Sequence, residues 1–421
     1  MTFEETTAWL YSQLPVFQHT GGGAHYKIDL EKTKGLMKAL DHPEQSFPSI
    51  HVGGTNGKGS TSHLLASVLQ TAGYRVGLYT SPHLLDFRER IRIDGVPIDK
   101  EEVVAFVEEH RTHLEGCSFF EATVGMAFDA FRRHRVDVAV VEVGLGGRLD
   151  STNVILPEVA IVTSIGLDHQ AYLGTTRAAI AGEKAGIIKA GIPAVVGEKD
   201  PETAPVFEER ARAVGAELHW AEDLVPHPLP CGLQGAYQAS NVRCVQAALQ
   251  LQTRWKVSPE HLRIGLLEVV QRTGLRGRWE VLQSHGPRVV ADTGHNAHGL
   301  RPVVEQLLQE IPSNGTLHAV VGTVADKDPS DVLALLPRDA HYYWVQADLP
   351  RALPASALAE RAAEFGLRGR VSGPVARGLE EALREAQSHD LVFVGGSIFV
   401  VAEALAHWDG RQGSTANGPE A

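Results

Sequence analysis

The stretch Ile50-His51-Val52-Gly53-Gly54-Thr55-Asn56-Gly57-Lys58-Gly59-Ser60-Thr61 decides how this chain folds. Its apolar start predicts a strand, its glycines a tight turn, and residues 62–71 beyond it a helix. Glycines let backbone N–H groups curl around an anion. The helix N-terminus adds the positive end of its dipole, and Lys58 neutralises terminal phosphates. Gly54, Thr55, Asn56, Gly57 and Gly59 make the turn, while Ser60 and Thr61 are placed to reach a Mg²⁺ riding on the phosphates. The P-loop pattern G-x-x-x-x-G-K-[ST] is met imperfectly. Val52 stands at its first glycine, and Gly59 separates Lys58 from Ser60. The strand before and helix after favour a phosphate cradle over a mere linking turn.

Outward from this stretch, apolar runs alternate with helical stretches, which predicts an α/β fold with a mostly parallel sheet. Strands are expected at residues 49–52, 75–80, 136–143, 159–165 and 194–197. Runs such as Val138-Ala139-Val140-Val141 suit strands covered on both faces. Residues 204–231 read as irregular, and 237–253 as a helix. A second pattern begins near Arg276, with strands at 288–291, 317–322, 341–345 and 391–394 and a helix to about Glu310. The expected division is a P-loop domain over 1–275, a smaller α/β domain over 276–408, and a frayed tail over 409–421, where Gly, Ser, Asn and Pro gather.

At 421 residues the chain can bury two substantial cores. A net charge of −12 argues against nucleic acid as partner, since phosphate backbones demand a basic surface. Cys117, Cys231 and Cys244 are too scattered for a disulfide framework or a zinc site. No apolar run is long enough to span a bilayer, and the polar N-terminus lacks a signal-peptide shape, so no membrane role and a cytoplasmic location are expected.

In open parallel sheets, ligands bind beyond the carboxyl ends of the strands. Four expected strands end in polar residues: Lys58 with Ser60, Ser81 with His83, Glu142, and Asp168 with His169. Glu142, between Val141 and Val143, needs a partner for its charge. Mg²⁺ beside a P-loop supplies one. His169 suits either a turn cap or a metal or phosphate contact. Lys184 reads as a surface lysine on a helix. In the second domain, Asp292 and His295 follow a strand. Asp292 suits ribose hydroxyls or another polar ligand group, and Arg278 suits phosphate.

Taken in order, several segments resemble folylpolyglutamate synthase and its bacterial form that is also dihydrofolate synthase, ligases related to the Mur ligases. They are Gly54-Thr55-Asn56-Gly57-Lys58-Gly59-Ser60, Thr80-Ser81-Pro82-His83-Leu84, Arg88-Glu89-Arg90-Ile91, the run from Glu142 to Asn153 and Glu183-Lys184-Ala185-Gly186-Ile187. The resemblance continues through Tyr237-Gln238 with Asn241, Gly277-Arg278, Asp292 to Asn296, Ala325-Asp326-Lys327-Asp328 and Gly396-Ser397-Ile398-Phe399. It implies that the P-loop domain holds ATP and that a Rossmann-like C-terminal domain closes over it. Lys58 would hold phosphates. Ser60, Ser81 and Glu142 would serve a first Mg²⁺, and His169 with Glu142 a second. Lys184 matches the lysine the family carbamylates. Asn241, Arg278, Asp292 and His295 would contact ATP, and Asp150 and Phe120 the pterin. Two departures stand out: Thr293-Gly294 replaces the family's Gly-Ala after Asp292, and the segment 19–23 fits the family loosely.

The implied reaction is ATP-dependent addition of L-glutamate to the carboxylate of a reduced folate or dihydropteroate, through an acyl phosphate. Lys58, Glu142, His169 and Lys184 are its catalytic candidates, and a monomer is expected. A Mur-type amino-acid ligase is the nearest rival. Such enzymes usually carry a nucleotide-sugar-binding domain ahead of the P-loop, and roughly fifty residues are too few for one. A P-loop nucleotide switch without ligase activity is the alternative from another class.

Overall fold

The computed structural model describes residues 1–14 and 29–416. The loosely fitting segment 19–23 lies outside the described residues. Two compact units make up the chain: Met1–Gly232 with Gln238–Leu275, and Leu233–Tyr237 with Arg276–Ala421.

The first unit is built on an eight-stranded sheet. Its strands are β1 (Ser49–Gly53), β2 (Val76–Tyr79), β3 (Ile91–Ile93), β4 (Val96–Pro97), β5 (Val138–Glu142), β6 (Val159–Val162), β7 (Ala194–Val196) and β8 (Leu218–Trp220). Their order is β4-β3-β2-β5-β1-β6-β7-β8, and only the β3–β4 end is antiparallel. Every residue of β1 and β5 is buried, as their apolar runs require. After β1 the chain moves to β2 on one side. After β5 it crosses to β6 on the other. The sheet therefore reverses direction around β1, which is where open α/β sheets bind ligands.

The helix Phe119–Arg133 packs on one face of this sheet. A capping box fixes its start: Ser118 Oγ accepts from Glu121 N–H at 3.2 Å, and Glu121 Oε2 from Ser118 N–H at 2.7 Å. Phe119 and Phe120 sit in its first turn. The helix Arg177–Ala185 packs on the same face beyond β1, with Ile180, Ala181 and Ala185 in a second apolar cluster that includes Ala160 and Ala194.

The second unit has a six-stranded sheet in the order β13-β12-β11-β14-β10-β9. Its strands are β9 (Glu280–Gln283), β10 (Arg288–Ala291), β11 (Leu317–Val321), β12 (Ala340–Gln346), β13 (Gly369–Pro374) and β14 (Leu391–Gly395). Only β9 runs antiparallel to its neighbour. The chain leaves β10 for β11 and later returns to insert β14 between them, so a second switch point lies beside β10. Trp279, Tyr342, Trp344 and Phe393 form its aromatic core.

Several elements differ from the sequence expectation. Residues 204–231 are more ordered than their prolines suggest, with the helix Ala204–Val214, strand β8 and the short helix Ala221–Leu224. The β3–β4 hairpin was missed, although Asp94-Gly95 between Ile93 and Val96 is a hairpin signal. Asp94 and Gly95 both have positive φ, 49° and 81°. The last helix runs Ile398–Ala416, so residues 409–416 of the expected tail are helical. Asp409 accepts from Arg276 at 3.2 Å and Arg411 pairs with Glu380, which ties that stretch to the second unit. Among the described residues, no helix is long and apolar enough to cross a membrane.

Candidate active site

The register of the first sheet sets what surrounds the turn after β1. Val52 pairs with Glu142 on β5, and Gly53 with Val162 on β6. The turn is pinned from the β6 side. Thr55 N–H donates to Ser164 O at 2.8 Å, Asn56 N–H to Ser164 Oγ at 3.2 Å, and the Thr163 hydroxyl to Asn56 O at 2.6 Å. Gly54 and Gly57 have φ of 139° and 88°. A Cβ on Gly54 would lie 1.9 Å from Thr163 Oγ1, and one on Gly57 2.2 Å from Asn241 Oδ1. Glycine is therefore required at both positions by conformation and by close approach. The helix opens at Lys58, four residues earlier than expected, because the left-handed Gly57 leads straight into its first turn.

Two amines converge at the foot of this turn. Lys58 Nζ donates to Gly54 O at 3.2 Å and to Thr55 O at 3.1 Å, and Lys184 Nζ donates to Gly54 O at 2.8 Å. The surface position expected for Lys184 is wrong, for the side chain is only 4% exposed. The cause lies in the glycines after β5. A Cβ on Gly147 would come within 2.9 Å of Glu183 O and 3.1 Å of Lys184 Cα. Without one, the helix Arg177–Ala185 lies directly against the loop, with Arg148 N–H donating to Glu183 O at 2.8 Å. Burial lowers the Lys184 ammonium to about 7. The Lys58 charge adds to that effect, and Asp168 and Asp150 oppose it.

Glu142 closes β5 and is also 4% exposed. Its Oε2 accepts from Ser81 N–H at 3.1 Å, so the ends of β2 and β5 meet beside the turn. Glu89 holds the loop after Ser81 by accepting from the N–H groups of Leu84, Leu85 and Asp86, which gives the Arg88-Glu89-Arg90 motif a structural role. Ser60 Oγ accepts from Gln238 Nε2 at 3.3 Å, and Gln238 Oε1 from Asn241 Nδ2 at 2.7 Å. Asn241 thus lies at the cradle, next to Gly57. The Thr61 hydroxyl is fully buried and has no hydrogen-bond partner among the described residues. His169 takes a left-handed conformation with φ 51°, and its Nε2 lies 3.8 Å from Asp168 Oδ2. It precedes the short helix Gln170–Leu173.

This donor set fits a magnesium nucleotide. The cradle leaves no room for a Cβ, two amines face its floor, and the adjoining ligands are hydroxyl and carboxylate oxygens, which hard cations prefer. Among the described residues, no group of three or more His, Cys, Asp or Glu side chains could hold a metal by itself. Mg²⁺ commonly relies on one or two carboxylates together with substrate phosphates.

Phe120 and Asp150 meet at the loop after β5. A Cβ on Gly144 would lie 2.4 Å from Phe120 Cζ, and Asp150 Oδ2 accepts from Leu145 N–H at 2.9 Å. Sequence reasoning quoted Gln238 within the family pattern but gave it no role, and it missed Thr163 and Ser164. Hydroxyl residues following a strand beside a glycine turn were the only local signal for Thr163 and Ser164.

The second unit gathers Arg278, Asp292 and His295 after β10. Asp292 is buried and accepts from Tyr237 OH at 2.5 Å, Trp279 N–H at 2.7 Å and Gly294 N–H at 2.8 Å. Its carboxylate holds this turn together, and burial raises its pKa. Arg278 donates to the Thr293 hydroxyl, the residue that departs from the family pattern. His295 Nδ1 lies 3.0 Å from Thr293 O.

Comparison with known proteins agrees with these features. The Mur ligase middle domain model matches residues 52–218, and the Mur ligase glutamate ligase domain model matches residues 277–398. The dihydrofolate synthase/folylpolyglutamate synthase of Bacillus subtilis (strain 168) is 33% identical over an alignment 439 positions long that covers 95% of this chain and 98% of that protein. Escherichia coli FolC, solved in complex with DHPP and ADP, superposes with a TM-score of 0.85 at 30% identity, covering 98% of this chain and 99% of that one. A bifunctional folylpolyglutamate synthase/dihydrofolate synthase with Mn, AMPPNP and L-glutamate bound gives a TM-score of 0.83 at 32% identity, covering 96% of this chain and 98% of that one. Similarity of this extent, over sequence and fold together, means that the chain belongs to the dihydrofolate synthase/folylpolyglutamate synthase family of Mur-type ligases.

Proposed function

We propose that this protein joins L-glutamate to the carboxylate of a reduced folate or dihydropteroate, consuming ATP and releasing ADP and phosphate. The observation that carries the reading is the convergence of Lys58 and Lys184 on the Gly54 carbonyl, with Glu142 at the neighbouring strand end. A carboxylate and an amine do not condense in water, because the leaving oxygen is poor. Transfer of the γ-phosphate to the carboxylate makes an acyl phosphate. The unprotonated glutamate amine then attacks its carbonyl carbon and expels phosphate.

The first step brings two anions together. Lys58 and the backbone N–H groups of the helix's first turn, Lys58 to Ser60, offset that repulsion. Mg²⁺, when bound, supplies further positive charge at the phosphates. In this reading Ser60, Ser81 and Glu142 hold one Mg²⁺, and His169 with Glu142 a second. Thr61 completes the hydroxyl edge of the cradle, and Asn241 contacts the nucleotide. The nucleotide roles implied for Arg278, Asp292 and His295 belong to the same proposal, as do the pterin roles of Phe120 and Asp150, the monomeric state and the cytoplasmic location. Lys184 is carbamylated: an amine with a pKa lowered to about 7 is largely neutral at physiological pH and free to attack CO₂. The product replaces a cation by an anion beside the metal ligands.

The experiment is a parallel assay with ATP, Mg²⁺ and L-glutamate against dihydropteroate and tetrahydrofolate. Turnover with at least one acceptor is expected. Failure with both, in protein that binds ATP, would remove the folate reading and favour a Mur-type acceptor.

A further inference from the structure

The motif Asp150-Ser151-Thr152-Asn153 contributes only Asp150 to the proposed site, yet its other members are held from several directions. The 3₁₀ turn Ser151–Val154 follows Asp150 directly. Asn153 Nδ2 donates to Arg148 O at 3.1 Å and Gly186 O at 3.2 Å. Lys189 Nζ donates to Asn153 O at 2.8 Å and also to Ile155 O. Thr152, fully buried, donates its hydroxyl hydrogen to Asp150 Oδ1, and its backbone N–H donates to the same oxygen at 3.0 Å.

His51 reaches this turn from the middle of β1, 2.9 Å from Thr152 Oγ1 through Nε2. The ring is fully buried. A carboxylate only accepts, so the single Thr152 hydroxyl hydrogen is committed to Asp150. His51 Nε2 must therefore carry the proton and donate. Nδ1 is the unprotonated nitrogen, and it is buried with no partner among the described residues. A strand-centre imidazole with one orphaned nitrogen is costly, and an apolar residue would fill that place more cheaply. Burial keeps the ring neutral, its pKa brought down to about 3.

We propose that His51 is a positioning residue for the acceptor substrate, orienting the Asp150 carboxylate through the chain His51 Nε2–H to Thr152 Oγ–H to Asp150 Oδ1. This rests on the reading of Asp150 as a pterin contact. Because β1 also leads into the phosphate cradle, the two roles must be separated by which substrate's KM moves.

The test compares Thr152→Val, which keeps the side-chain shape, Thr152→Ser, His51→Gln, His51→Leu and Asp150→Asn, each checked for an unchanged far-ultraviolet spectrum. Thr152→Val and His51→Leu are expected to raise KM for the pterin-bearing acceptor about fivefold or more while KM for ATP stays within about twofold. Thr152→Ser and His51→Gln, which retain a donor, should recover most of that loss. An unchanged acceptor KM in Thr152→Val overturns the proposal, as does an equal rise in both KM values. If Asp150→Asn raises the acceptor KM and Thr152→Val does not, the relay is wrong and the pterin reading stands. If Asp150→Asn has no effect, the pterin reading fails, and the relay fails with it.

Discussion

Two ammonium-bearing side chains, Lys58 and Lys184, meet at one carbonyl oxygen of the P-loop, and their surroundings give them different work. Lys58 opens the helix after the turn, and in the proposed reading it holds the terminal phosphates. Its replacement by alanine removes one charge and two hydrogen bonds to loop carbonyls, while Thr163 and Ser164 still hold the turn. Lys58→Ala should therefore fold normally and lose at least about tenfold in turnover, ~1.4 kcal/mol of barrier. A smaller loss in a steady-state assay would show that Lys58 does not face the reacting phosphate. Lys184 is buried, and its amine is neutral above about pH 7 and protonated below it. Only the neutral amine attacks CO₂. With ¹³C-bicarbonate, a carbamate resonance should be strong at pH 8, fade as pH falls through about 7, and be missing in Lys184→Met. A bare amine at pH 8 would contradict the assignment. The sequence made Lys58 legible because glycines and a helix start flank it. It left Lys184 on the surface, because nothing in Glu183-Lys184-Ala185 says that Gly147, in a loop elsewhere, will let this helix approach so closely. Only the family pattern pointed to it.

Among the elements, the turn between β1 and the helix Lys58–Thr71 is the most tightly determined. Thr163 and Ser164, beyond β6, hold its backbone, and Asn241 from the helix Gln238–Leu251 stands against Gly57. Gly54→Ala would place a methyl group inside the position of Thr163 Oγ1 and impose a strained φ. The expected result is a lower thermal midpoint together with loss of nucleotide binding, measured by calorimetry. Retention of both would mean that the turn has a different conformation. A Gly35→Ala control should lower neither the midpoint nor nucleotide binding, since a Cβ there meets nothing within 4 Å and the backbone is not left-handed. Element by element, the buried parallel strands were readable from continuous apolar runs such as Val138 to Val141. The expected strand 288–291 coincides with β10. Short edge strands were not readable: β8 has three residues, partly exposed at two, too brief for a period to show. The β3–β4 hairpin was readable from Asp94-Gly95 and was overlooked because arginines interrupt its apolar pattern.

At the scale of the whole molecule, two α/β units each place polar residues at a switch point, the first after β1, β2, β5 and β6, the second after β10. The order of motifs along the chain made the α/β class and family legible. The detailed partners of Asp292 were not, because Tyr237 and Trp279 come from segments that no local pattern links to it. A ligase and a nucleotide switch differ in one respect that does not depend on any single residue. A ligase must not spend its nucleotide before the acceptor acid and the amine are both present. The most direct measurement is phosphate release from Mg²⁺-ATP with neither substrate, with folate acceptor alone, with L-glutamate alone, and with both. The account predicts rapid release only in the last mixture, matched one for one by new amide. Release at a comparable rate without acceptor or glutamate, and without amide formation, would contradict it.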